Sequence, residues 1–182
     1  MKKNKTQFKR INVLQEGKNI IISISGKIER WKETLLFSWL IAWMICGIAI
    51  SYELFNSSST KNNTFLFIYL CFWAYFFFKI GYAYLYRKWG QELIKIEPDK
   101  ILIRREIKNI GKTYSYTKEN IKDFDIYRHS DTSFLKIFND SFWVIGGERL
   151  MFEYFGSKTG FGIQLNKDEE NYLYKLIKSH IG

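Results

Sequence analysis

Two long stretches without a charged side chain constrain this chain more than any other feature. Residues 34 to 52, TLLFSWLIAWMICGIAISY, carry no charge, and residues 65 to 78, FLFIYLCFWAYFFF, carry none either. The second run continues through Tyr86 around a single cation, Lys79. At a rise of 1.5 Å per residue, about 20 residues cross a hydrocarbon layer about 30 Å thick. Two transmembrane helices, at about 34–54 and 65–86, are therefore expected. A pair of buried helices in a soluble core is the alternative, but the remaining chain is polar and strand-like and offers little mass to enclose two helices that are apolar all round. A cleavable signal would place its apolar stretch directly after a brief basic start, whereas residues 1–33 precede the first run. An uncleaved span fits better.

The formal net charge is +10, and its placement matters more than its size. Cations from Lys2 to Lys32 outnumber Glu16, Glu29 and Glu33 before the first run. Between the runs Lys61 and Glu53 stand alone, and Arg87 and Lys88 follow the second run directly. By the positive-inside rule both termini are cytoplasmic, in a multi-pass protein of the cytoplasmic (inner) membrane. A basic flank of this kind attracts anionic membrane lipids, at about 1 kcal/mol per well-placed cation. The juxtamembrane placement argues against nucleic acid as a partner. Cys46 and Cys71 both fall inside the apolar runs and read as small apolar fillers, with no disulfide framework and no zinc spacing.

Outside the spans the texture is β-like. Residues 1–33 read as a basic N-terminal arm, its first ten residues mobile, with a short strand in KNIIISISGK, residues 18–27. NSSSTKNNT, residues 56–64, is a polar loop that permits only a tight helical hairpin. Residues 87–182 form the soluble domain. ELIKIEPDKILIRREI, residues 92–107, is two strands around a Pro98-Asp99 turn. KTYSYT (112–117), IKDFDIYR (121–128), FLKIF (134–138), FWVI (142–145), RLMFEYF (149–155) and FGIQL (161–165) continue the strands, with GSKTG as a glycine turn. Asn166 with Glu169 reads as a capping box, and Leu173, Leu176, Ile177 and Ile181 form the stripe of a C-terminal amphipathic helix.

SGKIERWKETLLFSWLIAW (25–43), ELIKIEPDKILIRREI and the ending FGSKTGFGIQLNKDEENYLYKLI together resemble bacterial membrane proteins that carry a PH-like domain behind a transmembrane hairpin. The layout is also similar to that of the photosystem I assembly factor of cyanobacteria and chloroplasts. The resemblance implies a membrane α-helical hairpin plus an α+β domain, a PH-like antiparallel barrel or sandwich of about seven strands with a C-terminal helix. It also implies that Lys95, Lys100, Arg104 and Arg105 stand where such domains grip lipid headgroups, although Arg104 and Arg105 are adjacent and must point to opposite strand faces.

Candidate chemistry is sparse. Asp123 and Asp125, with His129 and Asp131, are the one set of possible metal ligands, and solvated strand carboxylates explain them as well. GSKTGFG lacks the Gly-Lys-Ser/Thr of a phosphate loop, and a hairpin turn accounts for it. No nucleophile elbow or dinucleotide fingerprint occurs. No catalytic residue, cofactor or metal is expected. Lys79 either snorkels to the headgroups or pairs with a partner subunit. Phe142 and Trp143, beside Gly146 and Gly147, read as an exposed aromatic contact or as core. The expected function is that of a non-catalytic assembly factor, scaffold or accessory subunit of a membrane complex, binding protein partners through the PH-like domain. An anionic-lipid-binding or lipid-sensing module is the alternative.

Overall fold

The computed structural model describes residues 2–4, 8–57, 60–127 and 141–181. Three strands, β1 (Lys2–Asn4), β2 (Ile11–Glu16) and β3 (Asn19–Ser25), precede two long helices, α1 (Arg30–Asn56) and α2 (Thr60–Trp89). Six more strands follow: β4 (Gly90–Ile96), β5 (Lys100–Ile107), β6 (Ile110–Thr117), β7 (Ile121–Ile126), β8 (Glu148–Tyr154) and β9 (Ser157–Ile163). Helix α3 (Lys167–Ile181) closes the described chain.

The strands form two antiparallel sheets, a six-stranded meander β1-β2-β3-β4-β5-β6 and a three-stranded β7-β8-β9. β3 pairs with β4 across the whole helical hairpin, Ile22 opposite Ile94 and Ser25 opposite Gln91. The segment read as a basic arm with one short strand therefore supplies three strands of the large sheet, which does not begin at residue 87. The hairpin is an insertion between two neighbouring strands. INVLQE, which carries the sheet residues Ile11 and Val13, does not stand out as a strand because Leu14 breaks the alternation that these two begin.

Period-2 alternation places Ile11, Val13, Ile20, Ile22, Ile24, Ile94, Ile96, Ile101 and Ile103 on the inner face of the large sheet. They meet Leu150, Phe152 and Phe161 of the small sheet, and Leu173 and Ile177 of α3. Tyr116 of β6 bridges the sheets, edge-on to Phe152 at 5.0 Å and Tyr154 at 5.1 Å. The expected capping box forms: Asn166 Oδ1 accepts from the Glu169 N–H at 2.8 Å, and Glu169 Oε2 accepts from the Asn166 N–H at 3.0 Å.

Two local expectations change. FWVI is not a strand but part of a looped segment, residues 141–147, that leads into β8. The last β-hairpin turns at Phe155-Gly156, both with positive φ, so that GSKTG lies largely within β9 rather than forming the turn. FLKIF lies outside the described residues.

The helices are about 40 and 45 Å long at 1.5 Å per residue, each long and apolar enough to cross a membrane. They extend past the expected spans at both ends, and α2 takes up most of the polar segment read as a loop. In α1 only Leu36 and Gly47 are buried, and in α2 only Ala83, Tyr86 and Arg87 near its end. Large apolar side chains such as Ile48, Phe55 and Phe78 are exposed, so the helices are not core helices of a soluble fold.

The two helices lock at mid-length. The Trp73 indole packs against Gly47, where an added Cβ would clash with the ring. The indole N–H of Trp73 donates to the Trp43 carbonyl at 2.8 Å, and that of Trp43 to the Trp73 carbonyl at 3.2 Å. Both polar tips are thus satisfied within the hairpin, as a low-dielectric surrounding demands. α2 runs into β4 without a linker, and the Gly26 N–H donates to the Gly90 carbonyl at 2.9 Å. Neither glycine can carry a side chain, because the Tyr86 ring and carbonyl fill the space a Cβ would need.

Candidate functional site

The described residues place most of the unusual polar and aromatic groups at the junction of hairpin and sheet. The segment 141–147 folds back onto the hairpin. Phe142 stacks on Trp143 at 4.9 Å and meets Trp31 at 6.3 Å, while Trp143 meets Trp39 edge-on at 5.6 Å. Gln164 Nε2 donates to the Ser141 carbonyl at 2.9 Å, and the Gln164 N–H donates to the Gly147 carbonyl at 2.8 Å. Gly147 has a positive φ of 75°, a backbone state that suits glycine. Phe142 and Trp143 are thus half-buried intramolecular contacts, neither an exposed docking patch nor the sandwich core.

Trp143 and Val144 form one wall of a cleft of about 490 Å³ whose other walls are Trp39 of α1 and Tyr75, Phe76 and Ile80 of α2. Lys79 supplies its charged group. The Lys79 ammonium lies 5.7 Å from the centre of the Tyr75 ring, one turn towards the N-terminal end of α2. That direction follows the backward tilt of helical side chains and leads away from Arg87, not towards it as a snorkel to the headgroups requires. No carboxylate pairs with Lys79 among the described residues.

Lys79, Ala83 and Arg87 recur every four residues and share one stripe of α2. Ala83 and Arg87 are buried, the latter with 1% of its surface exposed. Arg87 Nη2 donates to the Val144 carbonyl at 2.9 Å, which holds the cleft wall in place. Around the end of α2 the surface is cationic and aromatic: Lys88 and Lys108 lie over the Trp89 ring at 4.9 and 4.2 Å.

The four cations expected at lipid headgroups are committed elsewhere. Lys95 and Lys100 both pair with Glu97, at 2.6 and 3.5 Å. They also sit at the wrong end, because β4 starts at the foot of α2 and Lys95 lies about 17 Å along the strand, beyond a Debye length of about 8 Å. Arg104 bonds to the Asn109 carbonyl and pairs with Glu106 at 2.8 Å. On the opposite face Arg105 pairs with Glu92 at 2.9 Å and Glu148 at 3.1 Å, and donates to the Gly160 carbonyl at 3.1 Å. Burial opposes the Arg105 charge, but Glu92 and then Glu148 outweigh it and hold the guanidinium above its usual range. Glu92 is fully buried and also accepts from the Gly162 and Ile163 N–H groups at 2.8 and 3.2 Å. This cluster ties β4 and β5 to β8 and β9.

Asp123 sits at the bulge of β7, and Asp125 accepts from the Ile126 N–H at 2.7 Å. His129 and Asp131 lie outside the described residues. Among those described, no three metal-ligating side chains converge. The residue that sequence reasoning missed is Arg87, which reads as an ordinary positive-inside flank; nothing in its local sequence announces that residues 141–147 will cover it. No protein-family model, curated protein or solved structure matches the chain.

Proposed function

We propose that this chain is a non-catalytic membrane module that holds an anionic amphiphile at the foot of its helical hairpin. The observation that carries this reading is the Lys79 cleft, an apolar slot walled by Trp39, Phe76 and Trp143, with an ammonium that no carboxylate pairs among the described residues. Hydrocarbon suits the walls, and an acidic group suits the cation. In this reading the soluble unit is a PH-like sandwich closed by α3 and interrupted by its anchor. In this reading both termini lie on the cytoplasmic side of the inner membrane, which the cations at the foot of α2 and before α1 favour. The full chain, extracted from bilayers of phosphatidylglycerol and phosphatidylcholine, should retain the acidic lipid above its bulk fraction. Lys79→Met and Trp143→Ala should each bring retention back towards the bulk ratio. Bulk composition around the wild type contradicts the proposal.

A second reading, an accessory subunit or scaffold for a protein partner, draws on one different observation. β6 ends the large sheet, and its Ile110 and Tyr114 are exposed, which suits strand addition by another chain. Co-purification from the native host would recover a partner that a Tyr114→Lys variant loses; repeated recovery of the wild type alone argues against it.

A further inference from the structure

We infer that Arg87 receives the phosphate-class oxyanion of an acidic membrane lipid, an inference that rests on the lipid-binding reading and assigns the headgroup end of the same site. Arg87 is buried, yet among the described residues only Nη2 has a partner, the Val144 carbonyl, and Nε and Nη1 have none. No carboxylate pairs with it among the described residues. The Arg10 guanidinium adds an unfavourable charge interaction. Arg10 is itself occupied, with Nε and Nη2 donating to the Ser25 carbonyl and Nη1 to the Gln164 carbonyl. A buried guanidinium whose one partner among the described residues is a carbonyl is strongly disfavoured unless an anion completes it.

The position selects which anion. Arg87 lies in the last turns of α2, level with Lys88, Trp89 and Lys108, where an aromatic and cationic belt meets lipid phosphates. It stands two turns from Lys79 on the same stripe, and Val144, whose carbonyl it holds, lines the cleft. The planar fork of the guanidinium, with two nitrogens unpartnered among the described residues, matches the oxygens of a phosphate better than a point charge does.

The test uses the full chain in phosphatidylcholine nanodiscs, with and without a minor fraction of phosphatidic acid, and in a third arm inorganic phosphate added to the neutral discs. The readout is the thermal unfolding midpoint. Phosphatidic acid should raise the wild-type midpoint by several degrees and leave that of Arg87→Met unmoved. Arg87→Lys, which keeps the charge and loses the fork, should show a reduced shift, so the comparison survives if the Met variant does not fold. Inorganic phosphate should shift neither. A full shift in both Arg87 variants overturns the inference while leaving the lipid-binding reading intact if Lys79→Met abolishes it. No shift in the wild type sinks both. An equal shift with inorganic phosphate assigns the site to a soluble anion and overturns the lipid source.

Discussion

Arg105 and Arg87 stand at the two sides of the same junction, and their surroundings are opposites. Arg105 is only half-buried and has two carboxylates and a carbonyl; Arg87 is fully buried and has one carbonyl. The first is a completed network. Its acid, Glu92, has no exposed surface and takes donors from β5 and β9 at once, so each polar group removed leaves others stranded. The second is incomplete among the described residues, and the proposed lipid oxyanion would complete it. The difference separates a charge that holds the fold together from a charge that the fold holds ready.

The contrast breaks first at Glu92. Glu92→Ala leaves Arg105 and two backbone N–H groups without their acceptor, and denaturant unfolding in detergent should show a loss of about 3–5 kcal/mol. A loss below about 1 kcal/mol would mean that the Arg105 cluster is no more complete than the Arg87 one. Next is the hairpin that carries Arg87. Gly47→Leu forces the Trp73 indole out of its notch, at about 1–3 kcal/mol, and should separate the helices. A shift of tryptophan fluorescence together with a lowered midpoint would report it; an unchanged spectrum would mean that the helices are not locked at Gly47. A smaller effect, about 1 kcal/mol, is expected from Asn166→Ala, which removes one half of the α3 capping box. It should leave acidic-lipid retention untouched. Smallest of all, Lys95→Met with Lys100→Met should leave retention of phosphatidylglycerol unchanged, because these lysines serve Glu97 at the far end of β4. A marked fall in retention would return the headgroup site to the sheet tip.

Much of the fold was legible in the sequence because its signals are local. Charge-free runs mark the helices, alternation marks β4, β5 and β8, and Asn166 with Glu169 marks the start of α3. What was not legible is long-range. β2 does not stand out because Leu14 breaks its alternation, and β3 finds its partner β4 only across residues 26–89. The site was less readable still. Lys79 is conspicuous as a lone cation, but Arg87 acquires its character only when Phe142, Trp143 and Val144 fold over the hairpin foot. Their aromatic pattern was visible, although its destination was not. Conversely, Lys95, Lys100, Arg104 and Arg105 looked available because nothing in sequence shows that Glu97, Glu106, Glu92 and Glu148 already hold them.

The most direct measurement is the unfolding stability of Arg87→Met against the wild type in a bilayer of phosphatidylcholine alone. With the anion absent, an apolar side chain in place of an uncompensated guanidinium should be neutral or stabilising, by up to about 1–4 kcal/mol. A loss of about 3–5 kcal/mol, the signature of breaking a completed buried pair, would show that Arg87 is as fully engaged as Arg105 and would contradict the account.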